Sequence, residues 1–240
     1  MNYRTMSIVA VLSALMLISA GCLDENKSPQ GGWVKLSDSE TLEGWKTIGG
    51  QGKFYFEDGV IVSETVAKTA STFLCTEKEY GDFILELEFK VDPSLNSGVQ
   101  IRSSVHEKDY TTDYVNGKME QMKMTFKAGT IFGYQVEIDP SERSWTGGFY
   151  EEGGRGWIKN LADNEPARKA FKQNQWNRLK IQAIGNEFVS WVNGVKAVET
   201  TDNARAKGFI GLQLHAIYKA SDAGKKVCWR NIRIMELNVN

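Results

Sequence analysis

Residues 83–91 read FILELEFKV, and their alternation decides the fold class. Phe83, Leu85, Leu87, Phe89 and Val91 fall on one side of an extended chain, Glu86, Glu88 and Lys90 on the other, which predicts a strand covering a core on one face and meeting water on the other. A second stretch, residues 132–150, FGYQVEIDPSERSWTGGFY, has the same period with a different polar set. Tyr134, Val136 and Ile138 alternate with Gln135, Glu137 and Asp139. Two carboxylates and an amide on one strand face suit the floor of a polar cleft better than a merely solvated surface.

Working outward, the chain from Trp33 onward reads as short strands separated by turns. Phe54–Val62 predicts a hairpin closed at Asp58-Gly59, and Phe188–Val192 leads into a second at Asn193-Gly194, because both central positions of a type I′ turn need positive φ. Further strands are expected at Gly44–Lys46, Val99–Arg102, Leu179–Ala183, Phe209–Ala216 and Trp229–Leu237. Residues 163–172 are expected to hold one short helix. Residues 103–129 form a long insertion with His106, Met119, Met122 and Met124, the methionines expected to pack on the body of the domain. Residues 147–157 are expected to form a glycine-rich loop, without the strand and helix context of a phosphate loop. Regular strands without a βαβ rhythm predict an all-β, two-sheet antiparallel jelly-roll sandwich.

The 240 residues, 41% hydrophobic with a formal net charge of -1, suffice for one such domain and carry no basic footprint, so nucleic acid is excluded as an expected partner. A short positive start, an apolar run over Ile8–Ile18 and small residues at Ser19-Ala20-Gly21 predict a signal peptide over 1–21. Cys22 follows at once, a pattern that resembles a bacterial lipoprotein signal. It implies lipidation of Cys22, a polar tether over 22–32 and a domain over 33–240, exported to the periplasm or to the outer membrane or cell surface and held to the membrane by lipid. Cys75 and Cys228 are expected to be buried free thiols.

Three expected strands share an outward polar set: Gln100 with Arg102, Gln135 with Glu137 and Asp139, and Gln213 with His215. On one concave sheet they would line a groove suited to a polyhydroxylated ligand, since amides, acids and a guanidinium match paired hydroxyl donors and acceptors. Tyr150, Trp157 and Trp191 are candidates for stacking surfaces at its rim.

At these residues the chain resembles the 3-keto-disaccharide hydrolase family, also described as 3-keto-glucoside 1,2-lyase and 3-keto-2-hydroxy-glucal hydratase domains. The resemblance rests on Asn96-Ser97-Gly98 with Arg102, Gly133–Asp139, Thr146-Gly147 with Tyr150, Trp176-Asn177, Trp191–Gly194, Gly208–His215 and Arg230–Ile232, in that order. It implies a concanavalin- or LamG-like jelly roll that cleaves the glycosidic bond of an oxidised sugar. Its substrate would be a 3-keto-glucoside or 3-keto-disaccharide. The C3 ketone acidifies the C2 hydrogen, a base removes it, the C1 oxygen leaves by β-elimination, and water can add back. On this reading His215 is the proton-transfer base, Glu137 or Asp139 orients it, binds hydroxyls or protonates the leaving group, and Arg102 stabilises the enolate. Asn96, Gln100, Gln135, Gln213, Tyr150, Arg155 and Trp157 are the expected substrate-binding residues. A divalent metal on Glu137, Asp139 and His215 is the alternative electrophile. Two rivals share the fold: a non-catalytic sugar-binding module, and a laminarinase-like hydrolase using the Glu137, Asp139, Glu142 spacing.

Overall fold

The computed structural model describes residues 32–37 and 40–237; the expected signal peptide, Cys22 and nearly all of the tether lie outside the described residues. In chain order the strands are β1 (Val34–Lys35), β2 (Trp45–Gly49), β3 (Lys53–Glu57), β4 (Val60–Glu64), β5 (Thr72–Tyr80), β6 (Phe83–Val91), β7 (Ser97–Val105), β8 (Tyr110–Val115), β9 (Gln121–Phe126), β10 (Ile131–Ile138), β11 (Phe149–Glu152), β12 (Gly156–Lys159), β13 (Asn177–Ile184), β14 (Glu187–Val192), β15 (Val195–Thr201), β16 (Gly208–Leu214) and β17 (Lys226–Glu236). One short helix, α1 (Glu165–Ala170), begins where Asn164 accepts a hydrogen bond from the Ala167 N–H. One sheet runs β15-β14-β13-β6-β17-β4-β3 with β1 beside β17, and the other runs β2-β5-β16-β7-β10-β11-β12-β8-β9. Pairing is antiparallel throughout both sheets save one parallel bridge between β12 and β8. This is the two-sheet jelly-roll sandwich expected from the alternation.

The core fills with the inward residues of both sheets. Leu85, Leu87 and Phe89 of β6 meet Tyr134, Val136 and Ile138 of β10, all buried, with Trp229 among them. Each such side chain contributes roughly 1.5–3 kcal/mol by leaving water. Both expected hairpins close on paired positive-φ residues, Asp58 (49°) with Gly59 (78°) and Asn193 (50°) with Gly194 (86°). The outer face of β6 is less open than expected: Glu86 is 7% exposed, covered by Arg178 and Arg233, each donating to its Oε2 at 2.6 Å. Residues 103–129 fold as the β8–β9 hairpin, whose methionines stay exposed instead of packing on the sandwich. The expected glycine-rich loop contains two short strands, β11 and β12, turned at Gly153 (φ 58°).

A bulge interrupts the alternation at Arg102. In β7, Arg102 takes φ 46°, and in β10 the facing Gly133 takes φ 146°, where the register shifts between Phe132 and Tyr134. The extra residue turns Arg102 off the outer face. Its side chain, 0% exposed, donates from Nε to the Gly81 carbonyl at 2.9 Å, from Nη1 to the Gly185 and Arg205 carbonyls at 2.7 and 3.1 Å, and from Nη2 to Asp82 at 2.8 Å. The guanidinium also lies 5.0 Å from the centre of the Phe188 ring.

Candidate active site

On the longer sheet, the residues between the core positions form an outward face. Its register sets Cys75, Gly211, Gln100, Gln135, Tyr150 and Trp157 in one row across six strands. The neighbouring row carries Phe73 beside Gln213 and Gly98 beside Glu137. Gly98 makes room for chemistry here: a Cβ on it would lie 2.5 Å from the Gln135 amide carbon. The Gln135 side chain can therefore lie flat across β7.

A continuous hydrogen-bond chain runs through this floor. Ser103 Oγ donates to Gln100 Oε1 at 2.9 Å, Gln100 Nε2 to Gln135 Oε1 at 2.5 Å, and Gln135 Nε2 to Glu137 Oε2 at 2.7 Å. Asn96 Nδ2 donates to the other carboxylate oxygen at 2.6 Å. Both oxygens of Glu137 are thus oriented by amides. Burial pushes the Glu137 carboxyl up to about 7, against the opposing pull of the Asn96 and Gln135 hydrogen bonds. Glu152, two residues along β11 from Tyr150 and so on the same face, is also pushed up to about 7, by burial and then by the charge of Glu137. Burial, then Glu152, Tyr114 and Glu137, hold the Tyr150 phenol far above its ordinary range, and its hydroxyl shares a 2.8 Å hydrogen bond with Tyr114.

Gln213 completes the floor. It is 0% exposed, and neither its Nε2 nor its Oε1 has a hydrogen-bond partner. An unpaired buried amide group costs about 1–3 kcal/mol, so a donor and acceptor held ready at the floor suit a ligand's hydroxyl and carbonyl.

Residues 32–235 match the model of a family described as the 3-keto-alpha-glucoside-1,2-lyase-like domain. The chain belongs to this family. The lyase-like domain is thereby a carbohydrate-cleaving enzyme of that type, as the resemblance implied. No curated protein sequence matches it. Among solved structures it is similar to a protein of unknown function with a galectin-like fold from Bacillus subtilis (16% identity, 85% of this chain and 94% of that one, TM-score 0.59). It is also similar to a provisionally assigned glycosyl hydrolase from Parabacteroides distasonis ATCC 8503 (19%, 86% and 95%, 0.56) and to the carbohydrate binding module CBM66 from Bacillus subtilis (14%, 80% and 96%, 0.53). At these identities the likeness is one of fold.

Within the lyase-like domain, one sheet face brings together Asn96, Gln100, Gln135, Glu137, Tyr150 and Gln213, all named from sequence, through strand register and the amide chain to Glu137. Trp157 stands at its side, edge-on to Trp145 with centroids 4.9 Å apart. Four expectations are corrected. Arg102 is spent at the edge of the sandwich on the carbonyls and Asp82. Arg155 turns to Glu151 and to Asp202 (2.8 Å), which also accepts from Tyr134, a polar cluster away from the floor. Trp191 belongs to β14 in the opposite sheet, 4.8 Å beneath the Lys180 ammonium.

Asp139 and His215 make up the fourth correction. Asp139 shapes the 139–146 loop, accepting from the Ser141 N–H (3.1 Å), Arg143 Nε (2.7 Å) and the Trp145 N–H (3.2 Å). Burial acts to raise its carboxyl, but the Ser141 and Arg143 hydrogen bonds and the Arg143 charge hold it below the usual range. His215 follows the last residue of β16, with Nδ1 2.8 Å from the Ala216 carbonyl oxygen, and among the described residues neither acid is within hydrogen-bonding distance of its ring. No three His, Cys, Asp or Glu side chains among the described residues could hold a metal, so the set Glu137, Asp139 and His215 does not fit one. Cys75 and Cys228 are free, the first buried with its thiol pushed up to about 12 by desolvation, the second half-buried on the other sheet.

Glu152, Arg143 and Tyr114 are the groove residues that sequence reasoning missed. Glu152 was recoverable by carrying the phase of Tyr150 two residues on. Arg143, whose guanidinium lies 4.4 Å from the Trp145 ring centre and acts on Glu137 through space, comes from a loop with no periodic signal.

The raised carboxyl of Glu152 has a consequence for stability. Its pKa is near 4.5 when unfolded and near 7 when folded. It therefore favours the native state fully below about pH 4.5, and that contribution is lost as pH rises through 7. Glu152→Gln should leave the melting temperature unchanged at pH 4 and raise it by a few degrees at pH 8, measured by calorimetry. An equal shift at both pH values would mean that charge burial is not the cause.

Proposed function

We propose that the groove cleaves 3-keto-glucosides by proton abstraction at C2 and elimination at C1, with Glu137 as base and Glu152 as acid. The observation that carries this reading is two carboxyls on one sheet face, the buried Glu137 and the half-buried Glu152, each raised to about 7, with the unsatisfied amide of Gln213 on the same face. Two interacting carboxyls seldom ionise together, and hydrogen bonding decides which does. Glu137, held by Asn96 and Gln135, carries the charge; Glu152, raised by burial and that charge, keeps the proton.

Gln213 Nε2 donates to the C3 ketone oxygen, and Gln213 Oε1 accepts from a neighbouring hydroxyl. The Glu137 carboxylate takes the C2 proton, and the electron pair forms an enolate whose oxygen is held by Gln213. Collapse of the enolate re-forms the ketone, makes the C1–C2 double bond and breaks the C1–O bond, while Glu152 supplies the proton to the leaving oxygen. Water adding at C1, with return of a proton to C2, completes net hydrolysis. Gln100 and Gln135 hold the base in place, and Arg143 contributes positive potential at the floor.

The test compares a 3-keto-glucoside with its unoxidised parent in deuterated water. Cleavage of the keto sugar alone, with deuterium at C2 of the product, is the expected result. Cleavage of the parent would favour a two-carboxylate hydrolase, and binding of either sugar without turnover would make the domain a carbohydrate-binding module; each overturns the reading.

Export and lipid attachment through Cys22 belong to the same proposal, resting on the apolar run and the Ser19-Ala20-Gly21-Cys22 sequence. Metabolic labelling with a fatty acid, lost in Cys22→Ala, is the corresponding check.

A further inference from the structure

We propose that the β8–β9 hairpin is an aglycone subsite, selecting 3-keto-glucosides whose leaving group is a flat apolar ring system rather than a second sugar. The inference rests on the elimination reading, because that reading fixes the direction in which the substrate lies. Strand order across the longer sheet is β16, β7, β10, β11, β12, β8, β9. Gln213 on β16 holds the ketone, Glu137 on β10 meets C2, and Glu152 on β11 protonates the departing oxygen. The leaving group must therefore extend beyond β11, over β12 and onto β8 and β9. Three further strand spacings, each about 5 Å, leave room for roughly two fused rings.

The surface found there is apolar, and on one side only. Pairing sets Tyr110 against Phe126, Thr112 against Met124 and Tyr114 against Met122 on one face of the hairpin. The reverse face pairs Thr111 with Thr125 through their hydroxyls at 2.9 Å and Asp113 with Lys123 through a 2.8 Å ion pair. Among the described residues, seven large hydrophobic side chains are exposed, and four of them, Tyr110, Met119, Met122 and Met124, belong to this hairpin. Such a concentration marks a binding surface, not the scatter normal for a protein exterior.

Continuity with the groove identifies the occupant. The Tyr114 hydroxyl on the apolar face meets the Tyr150 hydroxyl in the catalytic row at 2.8 Å. The hairpin is also fixed at both ends. Its turn is held where Arg143 Nη1 donates to the Gly117 carbonyl at 3.3 Å, and its base where the His106 ring stacks on Phe132 and Tyr110 at 4.1 and 5.0 Å between centroids. Methionine side chains adapt to rings of varied outline and make favourable sulfur contacts with them, whereas a second sugar needs polar partners that Met122 and Met124 do not offer.

The test uses the double variant Met122→Ser/Met124→Ser, at residues 49% and 40% exposed, so that folding is preserved. Its kcat/KM is measured on the 4-methylumbelliferyl 3-keto-glucoside and on a 3-keto-disaccharide of the same anomeric configuration. The expected result is a fall of about tenfold on the aryl substrate, mainly in KM, with less than about a twofold change on the disaccharide. Equal effects on both substrates, or none, overturn the proposal. Unaltered selectivity with loss of a dimer in sedimentation would make the face a contact between copies. If the wild-type protein cleaves neither substrate, the elimination reading falls, and fluorescence titration with the unoxidised aryl glucoside still decides the subsite: tenfold weaker binding by the double variant supports it, equal binding refutes it.

Discussion

Replacing Glu137 by Gln lowers kcat/KM on a 3-keto-glucoside by about 10³-fold or more, the range expected when a general base is removed. The substitution keeps the shape of the side chain and an acceptor for Asn96, but it removes the negative charge that accepts the C2 proton. Exchange of the C2 hydrogen with deuterated solvent should stop in the variant, which separates lost proton abstraction from weakened binding. Glu152→Gln should behave differently: C2 exchange survives, and the loss of cleavage grows as the leaving alcohol becomes more basic, because only C–O scission needs that proton. In the wild type, two coupled carboxyls, each raised to about 7, give a bell-shaped pH profile centred near neutrality, whose limbs belong to the pair. A loss of less than tenfold for Glu137→Gln would place the base elsewhere.

Arg102→Ala produces the second large effect, and it is one of stability. Removing the guanidinium takes the donors from the Gly81, Gly185 and Arg205 carbonyls and leaves Asp82 without its cation. Breaking a buried pair of this kind costs roughly 3–5 kcal/mol. The urea midpoint should fall accordingly. The folded fraction, assayed in the cold, should keep kcat/KM within a few-fold of wild type. Arg102→Lys should rescue little, since an ammonium cannot fork toward acceptors lying in several directions around a planar group. A variant of unchanged stability but lost activity would return Arg102 to the reaction.

Arg102 also shows why parts of the site escaped sequence reading. Strand parity is a reliable guide where the strand is regular. It found the inward and outward residues of β6, the two turns with paired positive φ, and the shared outward face of Gln100, Gln135, Glu137 and Gln213. One inserted residue reverses that parity, and a bulge at a non-glycine residue such as Arg102 leaves no local mark. His215 fails for a related reason: the strand ends at Leu214, so the phase extrapolated from Gln213 no longer governs it. Glu152 lies in a strand of four residues between glycine-containing turns, too short to announce itself by alternation. Arg143 reaches the groove from a loop whose shape depends on Asp139, a contact that becomes apparent only in three dimensions.

The sandwich divides labour by odd and even number along a single strand. In β10, Tyr134, Val136 and Ile138 hold the two sheets together, while Gln135 and Glu137, interleaved with them, lie on the outward face proposed to take substrate. Substrate preference can therefore drift through every second position without reopening the hydrophobic interior. A library confined to those interleaved sites samples new sugars while the scaffold tolerates the search.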